Sequence, residues 1–259
     1  MTTSLSPRTL GINAAPSAPE PVPFSRLVRV EWAKATDTRA ARWLLALVAL
    51  STAGVMLMPV LAPTTVDQTY ASYLGVAAVG VSILLPVVAI LLFTGEWSHR
   101  SVMTTFTQEP RRIRVLNAKL AVTMVLSGGG AVFGGVVTAV GLGLVAASGR
   151  ALEADLTVGA ITGYLLFVLI EVLAGAALGA VLQSSAAAIV ASVALPGAFV
   201  ILGTASTLVS HWIDISTTWN WVLENDWAGH VPQISFSIVF WVALPLAAGV
   251  VRTIRREVG

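Results

Sequence analysis

Six separate stretches of this sequence are apolar for about the 20 residues that a helix needs to cross a bilayer core of roughly 30 Å, which leaves few folds open to it. They run from Trp43 to Ala62, Ser72 to Thr94, Leu120 to Ala147, Ala160 to Leu182, Ala186 to Leu208 and Ile234 to Val251. In lipid the backbone must satisfy its own N–H and C=O groups, so spans of this length are helices. Composition agrees: 56% of the residues are hydrophobic and only 11% charged, against about a quarter charged in a soluble domain. The expected fold is all-α, a polytopic membrane protein with six transmembrane helices. The third stretch is long enough to tilt or to extend beyond the membrane.

Charge placement orients the spans, because cytoplasmic segments retain lysine and arginine. Arg8, Arg26, Arg29, Lys34, Arg39 and Arg42 precede the first span. Arg100, Arg111, Arg112, Arg114 and Lys119 lie between the second and third, and Arg252, Arg255 and Arg256 follow the sixth. The opposite side holds Arg150 among Asp67, Glu153, Asp155, Asp214, Glu224 and Asp226. Both termini are therefore expected in the cytoplasm. Residues 1–23, with five prolines among serine and alanine, read as a disordered tail. The first span follows a long charged stretch without a small-residue cleavage site, the pattern of an uncleaved anchor.

Several chemistries are missing. The only lysines are Lys34 and Lys119, and neither follows a glycine, so the chain has no phosphate-cradling P-loop and is not expected to be an ATP-hydrolysing enzyme. There is no zinc-protease H-E-x-x-H and no G-x-S-x-G nucleophile elbow, and His99, His211 and His230 are scattered. With no cysteine, thiolate sites are absent too. No cofactor or metal is expected, and catalytic residues are none. A pI near 9.4 suggests nucleic acid at first sight, but the basic residues flank apolar spans instead of forming one stripe, so no nucleic-acid partner is expected.

The loop Gly95-Glu96-Trp97-Ser98-His99-Arg100-Ser101, running through Glu109-Pro110-Arg111-Arg112 to Lys119, resembles that of the type-2 class of ABC transporter permeases. Those typically read E-aromatic-x-x-(small or basic)-(Ser/Thr), then threonines, P-x-R and a lysine opening the next span; Arg100 stands where glycine is common. Leu27 to Trp43, with Glu31, Lys34 and Arg39, is similar to the family's amphipathic E-x-x-K segment. Leu178 to Ala188 resembles its small-residue turn, and Arg252 to Val258 its closing R-x-x-R-R-E-V. The resemblance covers residues 24–259.

That resemblance implies the membrane-spanning permease subunit of an ATP-binding cassette exporter. A second permease protomer, in a homo- or heterodimer, would complete the pathway, and a separately encoded cytoplasmic ABC ATPase subunit would drive it from a bacterial plasma membrane. The cargo would be a drug-like, peptide-like or lipid-like amphiphile, as in multidrug efflux. Segment 95–119 would be the coupling loop, with Glu96, Arg100, Glu109, Arg111 and Arg112 at the ATPase interface. The competing reading is that these arginines only fix topology and bind anionic membrane lipids. Two other functions compete: a proton-coupled secondary transporter, and a non-transporting membrane scaffold or immunity protein.

Residues 24–42 are expected to form an amphipathic interfacial helix, since Phe24, Leu27, Val28, Trp32 and Ala35 recur at helical spacing among basic residues. The remainder, 43–259, is the six-helix domain, with an external loop at 209–233 expected to hold a short interfacial or re-entrant helix. Gly130-x-x-x-Gly134 and Gly175-x-x-x-Gly179 mark close helix approaches, read first as intrachain packing. Pro86, Pro196 and Pro245 fall inside spans, where each frees a carbonyl and bends the helix. Glu171 is the one ionisable residue well inside a span, and must be neutral, paired or facing water within the protein. It is the candidate pathway residue or proton carrier, against the alternative of a structural hydrogen bond. His211, Asp214 and His230 have no recognisable metal-ligand spacing.

The charge pattern is checkable because the chain lacks cysteine. A cysteine replacing Asp226 is expected to react with a membrane-impermeant maleimide in intact cells, and one replacing Arg114 only after permeabilisation. The reverse pattern would invert the topology.

Overall fold

A computed structural model describes residues 22–98 and 111–255. Among these, six helices are long and apolar enough to cross a membrane, and the chain is an all-α, multi-pass membrane protein. A short helix α1 (Phe24–Thr36) precedes the first span, α2 (Arg39–Leu61). The second span is broken into α3 (Tyr70–Ser82) and α4 (Leu85–Ser98). Then come α5 (Arg112–Ala147), α6 (Val158–Leu182) and α7 (Ser185–Gly203). Two short helices, α8 (Thr207–Trp212) and α9 (Ile215–Leu223), lead to the last span, α10 (Val231–Arg255).

Local chemistry sets the boundaries. The hydroxyls of Thr38, Thr69, Thr157 and Ser206 and the carboxylate of Asp214 accept backbone N–H groups at the starts of α2, α3, α6, α8 and α9, satisfying donors that a helix start leaves unpaired. The expected interfacial helix at 24–42 is two elements: α1 ends at Thr36, and the Thr38 cap starts α2. The third span begins at Arg112, eight residues before the apolar run that announced it, because nothing between Arg112 and Leu120 breaks a helix. The segment expected as a loop over 95–119 is correspondingly shorter, since α4 continues through Ser98. The tail through residue 21 lies outside the described residues.

The three prolines act differently. Pro86 follows the break at Ile83 and Leu84, where a tight turn joins α3 to α4. Pro196 sits inside α7 without ending it. Pro245 cannot donate to the carbonyl of Trp241, and Val239–Ala243 winds as a π-helix ahead of it.

Glycines let the central helices touch. A Cβ on Gly175 would lie 2.6 Å from the carbonyl oxygen of Pro86, and one on Gly179 would lie 3.0 Å from that of Ile90, so α6 packs its small face directly on the α4 backbone. Gly249 lets α10 approach α6 in the same way, 2.6 Å from Ala180. Gly130 and Gly134 accommodate Leu85 and the Tyr164 hydroxyl. Both glycine pairs thus serve packing within the chain. α7 is the opposite case: Ala188 is its one buried residue, and Val190, Val193 and Ile201 face outward.

Replacing Gly175 with valine should therefore separate α6 from α4. Overpacked cores typically lose about 1–3 kcal/mol, and the backbone oxygen it meets cannot rotate away. A lower thermal midpoint in detergent for Gly175→Val than for Gly135→Val, whose site is open, is the expected outcome.

Candidate functional site

At the end of the bundle where α1, the C-terminal end of α4 and the start of α5 meet, four charged side chains share one site, three of them buried and Lys34 half-buried at its edge. Glu31 and Lys34 stand one turn apart on α1, which places both on the face turned to α4 and α5. Lys34 Nζ donates to Glu31 Oε1 at 2.6 Å and to Glu96 Oε1 at 2.7 Å. Lys119 Nζ donates to Glu31 Oε2 at 2.8 Å, lies 3.4 Å from Glu96 Oε2, and also donates to the Leu92 carbonyl at 2.8 Å. Glu31 and Lys119 are each only 3% exposed and Glu96 only 8%. Both lysines of the chain are spent here, and two carboxylates balance them.

Buried ions are costly unless paired and hydrogen-bonded, so these four charges hold one another in place. Burial alone would lower the pKa of Lys34, but the charges and hydrogen bonds of Glu31 and Glu96 outweigh it and hold the pKa above the ordinary 10.5. A raised lysine pKa stabilises the fold fully below the unfolded value and loses its effect as pH rises through the folded one. The contribution of Lys34 is therefore complete at neutral pH and fades in alkali.

Hydrogen bonds stitch the same end together. Arg112 donates to the carbonyls of Thr253 at 2.6 Å and Ile254 at 3.3 Å, and Arg252 to that of Val181 at 2.6 Å. The turn from α6 to α7 passes through Gln183, a non-glycine residue at φ 54°, whose amide donates to the Thr253 hydroxyl at 3.2 Å. Ser185 joins the hydroxyls of Thr94 and Ser98 at 2.7 and 2.9 Å.

Of the five residues expected at a coupling interface, Arg100 and Glu109 lie outside the described residues. Glu96 was expected at a polar rim and is instead inside the ionic site, because Lys34 and Lys119 converge on it. Arg112 is tied to the end of α10, and Arg111 is exposed at the start of α5. Glu31 and Lys119 carried a signal, as an E-x-x-K pair and one of only two lysines, but nothing linear shows that they meet across 88 residues.

Glu171 lies halfway along α6 on the wall of a cavity of about 90 Å³, together with Ser82, Pro86, Ser192, Pro196, Trp219 and Trp241. It makes no hydrogen bond or ion pair among the described residues, so the alternative of a structural hydrogen bond to a neighbouring helix is not what the structure shows. At the opposite end of the bundle from the ionic site, a larger cavity of about 520 Å³ lies between α3, α6 and α9. Its wall is apolar at Leu74, Val76 and Val79, polar at Asn220, and acidic at Asp67 and Glu224. The segment expected as an external loop at 209–233 contains α9, with parts of α8 and α10. There Asp214 spends its carboxylate on Ser216 and Thr217, while His230 stacks on Trp221 at 3.9 Å.

No family model, curated protein or solved structure matches the chain.

The ionic pairing makes a paired test. Lys119→Met strands a negative charge and should cost about 3–5 kcal/mol, the range for breaking a buried pair. Adding Glu31→Gln leaves Lys34 with Glu96 and should recover much of the loss. Thermal unfolding in detergent of both variants reads this directly; equal destabilisation would mean the charges do not act as one set.

Proposed function

We propose that this chain is the membrane-spanning subunit of an ATP-driven exporter of the ABC type, working as a dimer with a separate cytoplasmic ATPase. One observation carries the reading. Glu96 and Lys119 flank the segment that resembles the family's coupling loop, and both are clamped with α1 in one buried ionic site. A partner pushing on that segment would move α1, α4 and α5 as a unit, because separating them would expose unpaired charges. Loops held only for topology or lipid contact need no such buried clamp.

The rest of the molecule is consistent with transport of an amphiphile. The cavity of about 520 Å³ falls within the roughly 300–1,000 Å³ of small-molecule sites, and its acids favour a cationic polar group. On this reading the ionic site faces the cytoplasm and the larger cavity faces outward, in accord with the lysine and arginine count. One observation favours the proton-coupled alternative: the carboxyl of Glu171 faces a cavity inside a span. Transport in vesicles separates the two. Export powered by ATP and indifferent to a protonophore supports the ABC reading, and the opposite pattern supports proton coupling.

Two further outcomes follow. The tagged full chain, extracted from its native membrane in mild detergent, should retain a P-loop ATPase in stoichiometric amount; purification without one under conditions that preserve export would sink the proposal. Glu31→Gln with Lys34→Met keeps Glu96 paired with Lys119 while releasing α1. That variant should keep the ATPase bound but lose most of the cargo stimulation of ATP hydrolysis, measured as phosphate release with and without cargo.

A further inference from the structure

The wall of the Glu171 cavity has spent its hydrogen-bond donors and kept its acceptors. The Ser82 hydroxyl donates to the Val79 carbonyl at 3.1 Å and the Ser192 hydroxyl to that of Ile189 at 2.8 Å. Trp219 Nε1 donates to Ser237 at 3.1 Å and Trp241 Nε1 to the Ile213 carbonyl at 2.7 Å. Beside Glu171 stand two residues whose carbonyls lack their ordinary helix donor. Pro86 has no N–H for the carbonyl of Ser82, four residues before it, and Pro196 has none for that of Ser192. Both serines line the cavity with the carboxyl.

A lone carboxyl at membrane depth, on a wall with no free side-chain donor, suits a ligand that brings donors and one positive charge. A divalent ion would leave a net charge buried in the span, at a cost of several kcal/mol. The cavity of about 90 Å³ exceeds the roughly 30 Å³ share of one water, and the indoles of its wall suit a cation. Its rim includes Ile83 and Val193, which are 50% and 74% exposed, so it opens on the apolar flank between α4 and α7. A ligand seated there has its head inside and its tail along that flank.

We propose that this cavity binds the head of a lipophilic ammonium, with Glu171 as its counter-ion and the carbonyls of Ser82 and Ser192 as its acceptors. The proposal rests on the export reading only in naming a cargo class, and its test needs neither ATP nor a partner, so either can fail without the other.

The full chain in phosphatidylcholine nanodiscs is treated at fixed pH with dicyclohexylcarbodiimide, which enters from the bilayer. The carboxyl proton passes to a carbodiimide nitrogen while the carboxyl oxygen bonds to the central carbon, and peptide mass spectrometry reads the adduct at Glu171. N,N-dimethyldecylamine, protonated but unable to form an amide, is the competitor; decanol and sodium chloride are the controls. The amine is expected to slow labelling about ten-fold, equivalent to about 1.4 kcal/mol of occupancy, with decanol and sodium without effect. Pro196→Ala returns an N–H toward the Ser192 carbonyl. It should leave labelling without amine unchanged and raise the half-protecting amine concentration several-fold. Equal protection by decanol would make the cavity a plain apolar groove, and protection by sodium alone would make it an inorganic-ion site. Absence of labelling without competitor would mean the cavity is closed to the bilayer. Each of these overturns the proposal, and unchanged protection in Pro196→Ala removes the carbonyls from it.

Discussion

Two carboxylates and the Lys119 ammonium, buried where α1, α4 and α5 converge, with the half-buried Lys34 ammonium at their edge, are the constraint around which one end of the molecule is organised. In a low-dielectric setting a charge is tolerable only while its partners stay within hydrogen-bonding reach, so the site admits one arrangement of three helices. Everything else at that end follows its alignment: Arg112 reaches the end of α10, Arg252 reaches the end of α6, and Gln183 joins the two through Thr253. Polar contacts of this kind give a helical bundle a rigidity that apolar packing in lipid does not, because lipid tails solvate leucine as well as another helix does.

Toward the middle of the membrane the organising principle changes from charge to shape. α6 runs through the centre with glycine and alanine toward α4 and α10: Gly175 and Gly179 lie against Pro86 and Ile90 of α4, and Ala180 against Gly249 of α10. The same proline that lets the second span break beside this contact also removes a hydrogen bond there. Close packing at Gly175 and a proline-broken span thus meet beside the cavity of Glu171.

On the export reading these features form a sequence along the membrane normal. The clamp ties α1, α4 and α5 together; α4 meets α6 in close contacts at Gly175 and Gly179; and α6 carries Glu171. The lightly packed α7 on the far side of that cavity, with one buried residue, is the element freest to move against the centre.

The sequence by itself determined six spans and their helical character, because lipid leaves a backbone no other way to satisfy its hydrogen bonds; the glycine pairs marked close approaches, and the tertiary structure decided that these lie within the chain. Span edges were less legible: α5 starts in a charged stretch, at Arg112, since helix continuation costs nothing outside the lipid while hydropathy sees only the apolar part. Glu96 and Lys119 were visible as charges flanking a loop, and Glu171 as a charge out of place. That Glu96 is buried with Lys34, Lys119 and Glu31, and that Ser82 and Ser192 share a cavity with Glu171, only the tertiary structure decided. Pairing between residues on different helices depends on how those helices cross and rotate, and that is set by packing over the whole bundle, which no local run of residues encodes.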